Sequence, residues 1–476
     1  MVGYMKRLKK NFYMEAGFCG LVFVFLIAWV VVQPYNVSPD ESMRYQIVEY
    51  LMKHGTIPHG GDPEIRDFVW GISYAFNPIF AYMLAAVPAK IVSLFTADTF
   101  AILVAARMMN VLLGTGMAFL VLRIGRRLFP GVQRWLFAVL IMFLPGTLFA
   151  FSYVNNDGLA LFSTALMFLM WVRSLEDDWS LKTCIGLAVG IGLCALSYYN
   201  AYGVILCSIL FFGVTILMCR DKKGDIRFLL FRGALITGIV LILAGWWFAR
   251  SYVIYDGDIL GMRTSSMYAE MYAQDIYKPS NRPTIQKLGM SIFEMFLYVP
   301  GDWEHNWLLT VLISFVGTFG YMTVFMPFLL SKIYILFFGG GLCGLLIRIK
   351  ETFSLAKERV IKQKRKVGQE ILIITVTKKN KYWQKKSVFH WCMLIASVFP
   401  FMLLIYYAYC SEFQAQGRYM LPGIIPLMYF VTYGYGNILN KFIRNEGISK
   451  VLYMAASVLV VLGVLYTYFG VFLPAC

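Results

Sequence analysis

Residues 18–32 read FCGLVFVFLIAWVVV, and residues 33–41, which follow, read QPYNVSPDE. The first stretch is uncharged and almost wholly apolar, and Lys6, Arg7, Lys9 and Lys10 precede it. That order suits a membrane helix whose start lies on the basic, cytoplasmic side. A secretory signal has a similar beginning, but Gln33-Pro34-Tyr35 offers no small-x-small cleavage site, so the segment reads as a retained first helix. What ends it matters as much. Ser38-Pro39-Asp40-Glu41 sets two carboxyl groups at the lipid–water edge on the far side.

Outward from that stretch the same alternation repeats. The 476-residue chain is 59% hydrophobic and 14% charged, against about 45–50% and about 25% in a soluble domain. A soluble enzyme, a disordered chain and a disulfide scaffold are all excluded by that balance. Membrane helices need about 20 predominantly apolar residues, and such stretches recur as far as Phe472. Only helices and closed barrels satisfy every backbone group in lipid, and these runs are too long and unbroken for barrel strands. The reading is an all-α polytopic membrane protein, one domain over residues 1–476, with about eleven transmembrane helices at that length per helix.

The net charge is +17, and 31 of the 43 Lys and Arg fall in six clusters between apolar spans, 13 of them from Arg348 to Lys386. Basic loops mark the cytoplasmic face. The charge therefore reports orientation and an attraction to anionic lipid, and nucleic acid is not an expected partner. Threading the clusters inside makes the N-terminus and the loop 348–387 cytoplasmic. It leaves two long extracytoplasmic segments, 34–100 and 250–307. Within the first, Asn77 to Phe95 is apolar but interrupted by Pro88 and Lys90, and reads as a helix lying on the membrane surface. Leu308 to Ile347 reads as one crossing plus a surface helix, which keeps the basic loop inside. Lys362 to Lys366 and Lys378 to Lys386 read as solvated.

The same threading gathers on the outer face the polar residues that interrupt apolar sequence. They are Asp40 and Glu41, Asn155 to Asp157, Tyr199-Asn200, Arg250 with Asp256 and Asp258, and Gln416 with Arg418. Ionisable residues at the membrane edge are costly and are functional candidates by default. Asp40 fits a general base whose pKa is raised by partial burial; its plainer reading is a helix N-cap, with Glu41 answering the helix dipole. Arg250 and Arg418 fit bidentate contacts to a phosphate, or else snorkel to headgroups. Asp157 fits a second acid, or a cap together with Asn156. His54, His59 and Asp62 are too thin a set for a metal, and Pro58 and Gly60-Gly61 break their spacing, so no metal is expected.

Pro39-Asp40-Glu41, then Arg44-Tyr45 and Ile47, Leu51-Met52 and Gly55 to Pro58, resemble the first outer loop of GT-C glycosyltransferases, particularly the aminoarabinose and protein mannose transferases. Three further stretches are similar to a related bacterial membrane family of largely unassigned function: Asn155-Asn156-Asp157-Gly158, Gly245 to Arg250 with Tyr255-Asp256-Gly257-Asp258, and Gln416 to Pro422. Relative to the aminoarabinose pattern, one extra residue separates Glu41 from Arg44. The resemblance implies a GT-C-like fold with surface-lying helices in the first outer loop. It also implies a polyprenyl-phosphate-linked sugar donor, and an envelope glycan, lipid or protein acceptor on the non-cytoplasmic face. Asp40 is then catalytic with Glu41 as its neighbour. Arg250, Arg418, Gln416 and Tyr419 contact the donor, and Arg44, Asn156, Asp157, Asp256 and Asp258 are accessory. The donor is a co-substrate, and no cofactor is implied.

The competing class is a transporter or flippase of a lipid-linked or small polar substrate. Such proteins more often show repeats and broken helices with charges near the midplane. Here the charges cluster at outer helix ends, which favours an enzyme.

Overall fold

The computed structural model describes residues 2–219, 224–301, 303–367, 370–443 and 445–476. Of the basic clusters, Arg220, Lys222, Lys223 and Arg444 lie outside the described residues. The chain opens with α1 (Val2–Val32) and α2 (Glu41–His54), followed by α3 (Phe80–Ser93), α4 (Thr99–Leu128), α5 (Gln133–Met142) and α6 (Pro145–Ala150). Next come α7 (Asp157–Asp177), α8 (Leu181–Ala195), α9 (Tyr202–Ile216) and α10 (Ile226–Ile254). The second outer segment carries α11 (Met262–Tyr272) and α12 (Ile292–Leu297), and α13 (Trp307–Gly317) follows it. A small hairpin, β1 (Thr318–Phe319) with β2 (Val324–Phe325), leads into α14 (Phe328–Cys343) and α15 (Ile349–Phe353). The strands β3 (Ala356–Val367) and β4 (Glu370–Trp383) precede α16 (Lys385–Cys410), α17 (Ile424–Phe442) and α18 (Glu446–Thr467).

Among the described residues, 8 helices are long and apolar enough to cross a membrane, including Asn11–Val32, Thr99–Leu128, Ile226–Ile254 and Lys385–Cys410. The protein is therefore a multi-pass membrane protein with a helical, GT-C-like fold. The shorter α5 and α8 and the less apolar α17 fall where further crossings were expected. The break after α5 has a local cause. Pro145 lacks an N–H and starts α6 at its first turn, where that loss costs nothing.

The helix expected between Asn77 and Phe95 is α3. Its 14 residues rise about 21 Å, short of the roughly 30 Å hydrocarbon core. Ala85, Ala86 and Ala89 face the protein, while Val87, Ile91 and Leu94 are exposed. Residues 308–347 carry the start of one candidate spanning segment, Phe328–Phe353, and one short helix, α13, whose Trp307, Val311, Phe315 and Val316 are covered by the rest of the protein. Within 348–387, β3 and β4 pair antiparallel.

The helices that frame the outer end pack closely. α4 lies against α1, α3 and α7, and α14 against α17. At the last contact the backbones of Gly341, Gly344 and Gly434 meet so closely that a Cβ on Gly344 or Gly434 would strike the facing carbonyl. Small residues permit such crossings in lipid, where packing replaces the hydrophobic effect as the driving force. Around the C-terminal end of α1 converge the start of α2, the turn Tyr74–Phe76, the connection between α6 and α7, and the 3-10 turn Gly417–Gly423.

Candidate active site

Asp40 stands immediately before α2 with φ 59°, in the left-handed region. A non-glycine residue there costs about 1–3 kcal/mol and persists only where its surroundings impose it. Although Asp40 occupies the cap position of α2, its side chain makes no capping hydrogen bond. The cap reading therefore fails. Its Oδ2 accepts a hydrogen bond from Tyr74 Oη at 2.9 Å and from Arg418 Nη2 at 3.2 Å. Arg44 Nη2 lies 3.6 Å from the same oxygen.

Burial pushes the Asp40 carboxyl up, but the guanidiniums of Arg44 and Arg418 and the Tyr74 hydroxyl outweigh it and hold it below the ordinary aspartate value. The expectation of a raised pKa is thus overturned: opposite charges within a few ångströms stabilise the ionised form more than burial destabilises it.

Glu41 has a different fate from its neighbour. It is fully buried, and Arg107 grips it with Nε to Oε1 at 2.8 Å and Nη2 to Oε2 at 2.6 Å. Oε1 also accepts from the Val154 N–H at 3.0 Å. Arg107 spends its remaining donors on the carbonyls of Val30, Gln33 and Pro34 at the end of α1. The pair staples α1, α2, α4 and the α6–α7 connection together. Both Glu41 oxygens are thus committed, unlike those of its neighbour Asp40.

Arg44 is buried, and its guanidinium lies over the Tyr74 ring at 4.7 Å. Arg418 donates from Nη1 to Tyr153 Oη at 2.9 Å and from Nη2 to Tyr419 Oη at 3.4 Å. Neither cation is fully used. Arg44 Nε and Nη1 and Arg418 Nε are buried donors with no protein acceptor. Beside them, Pro39, Tyr153, Thr318, Gln416 and Arg418 line a cavity of about 20 Å³. The Thr318 hydroxyl and Gln416 Oε1 are buried and unpartnered there. Unsatisfied buried polar groups are rare and call for an explanation such as a ligand.

The other candidates fall elsewhere. Arg250 donates to the Pro58 carbonyl at 2.7 Å and lies over the Trp247 ring, in a second cluster with His59 and Tyr255. It is not beside Asp40. Asp256 takes a left-handed turn conformation, and its carbonyl accepts from Arg263. Asp258 accepts from the N–H and hydroxyl of Thr264, which fixes the start of α11. Both acids shape the second outer segment rather than the site.

The N-cap position of α7 is Asn156, whose side chain makes no capping bond; the residue before it, Asn155, accepts from the Gly158 N–H through Oδ1 at 3.0 Å. Asn156 instead donates to the Ser197 carbonyl and leaves its Oδ1 unpartnered. Asp157 is buried at the first turn of α7, and its charge acts on Tyr153 and Arg418. His54 pairs with Glu64 at 2.9 Å. Among the described residues, no three His, Cys, Asp or Glu converge as metal ligands would.

Arg107, Tyr74 and Tyr153 were not among the sequence candidates. Arg107 carried a usable signal, an arginine inside the apolar run Ala101 to Leu122. The tyrosines carried none, since Tyr is abundant throughout the chain.

This arrangement, a partly buried carboxylate between two arginines, sits at one end of the helical bundle of a multi-pass membrane protein with a GT-C-like fold. The chain belongs to the family described as predicted membrane protein DUF2142, which matches residues 68–428. The apo oligosaccharyltransferase of Archaeoglobus fulgidus is similar in structure, with TM-score 0.54, 14% identity, and coverage of 96% of this chain and 55% of that one. The oligosaccharyltransferase AglB of the same organism, in complex with an inhibitory peptide and a dolichol-phosphate, gives TM-score 0.51 and 12% identity over 96% of this chain and 55% of that one. ArnT from Cupriavidus metallidurans bound to undecaprenyl phosphate gives TM-score 0.45 and 14% identity over 94% and 70%. This chain thus spans about half the length (55%) of the archaeal oligosaccharyltransferases. No curated protein sequence matches it.

Proposed function

We propose that the protein transfers a sugar from a polyprenyl-phosphate-linked donor to an envelope glycan, lipid or protein acceptor on the non-cytoplasmic face. The observation that carries this reading is the Asp40–Arg44–Arg418 cluster, with its buried, unsatisfied guanidinium donors. A phosphate supplies the acceptors those donors lack. The archaeal oligosaccharyltransferase similar in fold was solved with a dolichol-phosphate, a ligand of that chemistry.

In the reaction the acceptor's oxygen bonds to the anomeric carbon, and the bond from that carbon to the phosphate breaks. The phosphate gathers negative charge as it leaves. Preorganised cations at that point are worth several kcal/mol, and Arg44 with Arg418 occupy it. Asp40 stays ionised between them. It accepts a hydrogen bond from the acceptor's hydroxyl, takes that proton as the new carbon–oxygen bond forms, and offsets positive charge at the anomeric carbon.

The test is sugar transfer by purified protein from a synthetic polyprenyl phosphate donor. Arg418→Lys should recover part of the activity, because Lys keeps the charge but loses the planar fork, and Arg418→Ala should lose more. Arg250→Ala should cost less than Arg418→Ala, since Arg250 lies in the second cluster. Equal losses at the two positions would return Arg250 to the donor site.

Orientation has its own check. In a cysteine-free background, cysteines introduced near His59 and Asp275 should react with an impermeant maleimide added to intact cells, and one near Lys364 should not. Reaction near Lys364 would place the basic hairpin outside and sink the proposed sidedness.

A further inference from the structure

The second cluster carries donors that the protein itself leaves unused. Along α10, Ala244, Trp247 and Ser251 are buried, and so is Tyr255 just past its end. At that spacing they share the side of the helix that faces the protein. Trp247 and Ser251 are both 0% exposed. Trp247 Nε1, Ser251 Oγ and Arg250 Nη1 are buried with no hydrogen-bond partner. Three such groups on adjacent turns of one helix call for an explanation, because each forfeits the hydrogen bonds it made in water.

Their surroundings are fixed. Arg250 Nη2 donates to the Pro58 carbonyl at 2.7 Å, and Arg250 Cζ lies over the Trp247 ring, 5.1 Å from its centroid. Beside Pro58, His59 Nδ1 accepts from the Gly61 N–H at 3.0 Å. The ring proton is then on Nε2, which makes no hydrogen bond among the described residues. Burial and the Arg250 charge push the His59 imidazole below its ordinary value, against the Asp62 carboxylate, so at neutral pH it is an uncharged N–H donor. Tyr255 Oη accepts from the Gly60 N–H at 3.1 Å, and its ring stands 5.1 Å from that of His59. Arg250 and His59 are half-buried, so solvent reaches the cluster.

A single turn supports both clusters. In Tyr74–Phe76, Tyr74 Oη donates to Asp40 Oδ2 at 2.9 Å, and the Phe76 ring lies 5.3 Å from that of Tyr255. Ser73, the residue before, donates from Oγ to the Gly60 carbonyl at 2.7 Å. The Arg250 cluster therefore keeps a fixed separation from Asp40, as two parts of one site must.

We propose that Arg250, Trp247 and Ser251, with His59 at the rim, form a second oxyanion site, which holds a phosphate or carboxylate group of the sugar acceptor; this rests on the transferase reading above. Arg and Trp side chains offer donors only, so a ligand that completes them brings acceptor atoms. Beside a guanidinium, anionic oxygens make the strongest such bonds. The donor's phosphate has its own cations in Arg44 and Arg418 beside Asp40, so the anion at Arg250 belongs to the other substrate. An anchor remote from the reacting bond acts alike in the ground and transition states, and so sets the acceptor's KM more than kcat.

The experiment fills the donor site of the purified protein with sugar-free polyprenyl phosphate in an uncharged maltoside detergent. Glycerol 3-phosphate, glycerate or glycerol is then titrated in. Wild type should bind at least one of the two anions and not glycerol. Arg250→Ala should weaken that binding about tenfold or more, the worth of a charged hydrogen bond, and Arg250→Lys less. Trp247→Phe and Ser251→Ala should each weaken it about fivefold. Ser251→Ala removes a buried hydroxyl that has no partner, so its melting temperature without the anion should equal or exceed that of wild type. Polyprenyl phosphate should bind all four variants as it binds wild type.

In sugar transfer to membranes of a deletion strain, the Arg250→Ala loss should fall on the membrane acceptor's KM more than on kcat. The anion should compete with the membranes and not with the donor. Competition between the anion and polyprenyl phosphate for one site, or equal anion binding by wild type and Arg250→Ala, overturns the proposal, while transfer by wild type keeps the transferase reading. A short-chain phosphatidylglycerol that displaces the anion without inhibiting transfer assigns the site to a membrane headgroup and overturns its acceptor role. Anion binding at Arg250 by a wild type that transfers no sugar overturns the transferase reading, and the acceptor with it.

Discussion

Asp40→Asn should cut sugar transfer by about 10²–10³-fold, the loss typical when one preorganised electrostatic group is removed from an active site. Two features make asparagine the informative choice. Asn tolerates the left-handed backbone that Asp40 adopts at φ 59°, so the local turn survives. Asn also caps helices as well as Asp does, so a residue that only capped α2 would tolerate the change. Because the Asp40 side chain makes no cap bond, loss of activity reports on its charge.

A second readout separates catalysis from binding. The carboxylate shares Arg418 and Arg44 with the phosphate expected there. Its neutralisation removes both a competitor for their N–H groups and a like-charge repulsion. Sugar-free polyprenyl phosphate should therefore bind the Asp40→Asn protein at least as tightly as wild type, and should raise its melting temperature more. Weaker binding together with normal turnover would remove Asp40 from the site. The pH dependence follows the sign of its shift. The folded-state carboxyl is more acidic than a free one, whose value is 3.8. Its stabilisation by Arg44 and Arg418 is present above that value and is lost as pH falls through the lower folded value. An acid limb near neutrality is therefore not Asp40's.

Glu41→Gln should act on folding instead. Breaking a buried ion pair from one side leaves a buried charge uncompensated and costs about 3–5 kcal/mol. Here the orphan is Arg107, sealed from solvent beside the end of α1. Thermal unfolding in detergent should show a large fall in melting temperature and loss of monodispersity, whereas transfer per folded molecule should fall less than tenfold. Replacing both partners with apolar residues, Glu41→Leu with Arg107→Met, should restore part of the stability, because a buried pair and a well-packed apolar pair are often comparable. Recovery stays partial because Arg107 also serves three carbonyls and Glu41 one backbone N–H. A stable, inactive Glu41→Gln protein would instead make Glu41 catalytic.

These two variants show where reading along the chain stops. Asp40 and Glu41 are adjacent, acidic and at the same membrane edge, and nothing local distinguishes them. Their roles diverge because adjacent positions at a helix start point in different directions. One carboxyl meets Arg44, Arg418 and Tyr74, and the other turns inward to an arginine 66 positions away. Arg250 illustrates the converse error. It shared with Arg418 a place at the outer end of a span, and that shared height says nothing about lateral position. The structure sets Arg250 over Trp247 against Pro58, in the second cluster.

The amino-acid sequence by itself determined the helical membrane class, a helix within residues 77–95, and the grouping of Asp40, Asp157 and Arg418 at one end. Each follows from a local quantity: hydropathy over a helix length, the side on which basic residues collect, and the interruption of an apolar run. Only the tertiary structure decided which carboxylate stands between two arginines, which one is locked behind it, and that Arg44 rather than Arg250 joins Arg418. Those outcomes depend on contacts between segments tens to hundreds of residues apart, such as Asp40 with Arg418 and Glu41 with Arg107. A pKa is set by the charges and burial that such contacts create, so the direction of the Asp40 shift became legible only once the chain was folded.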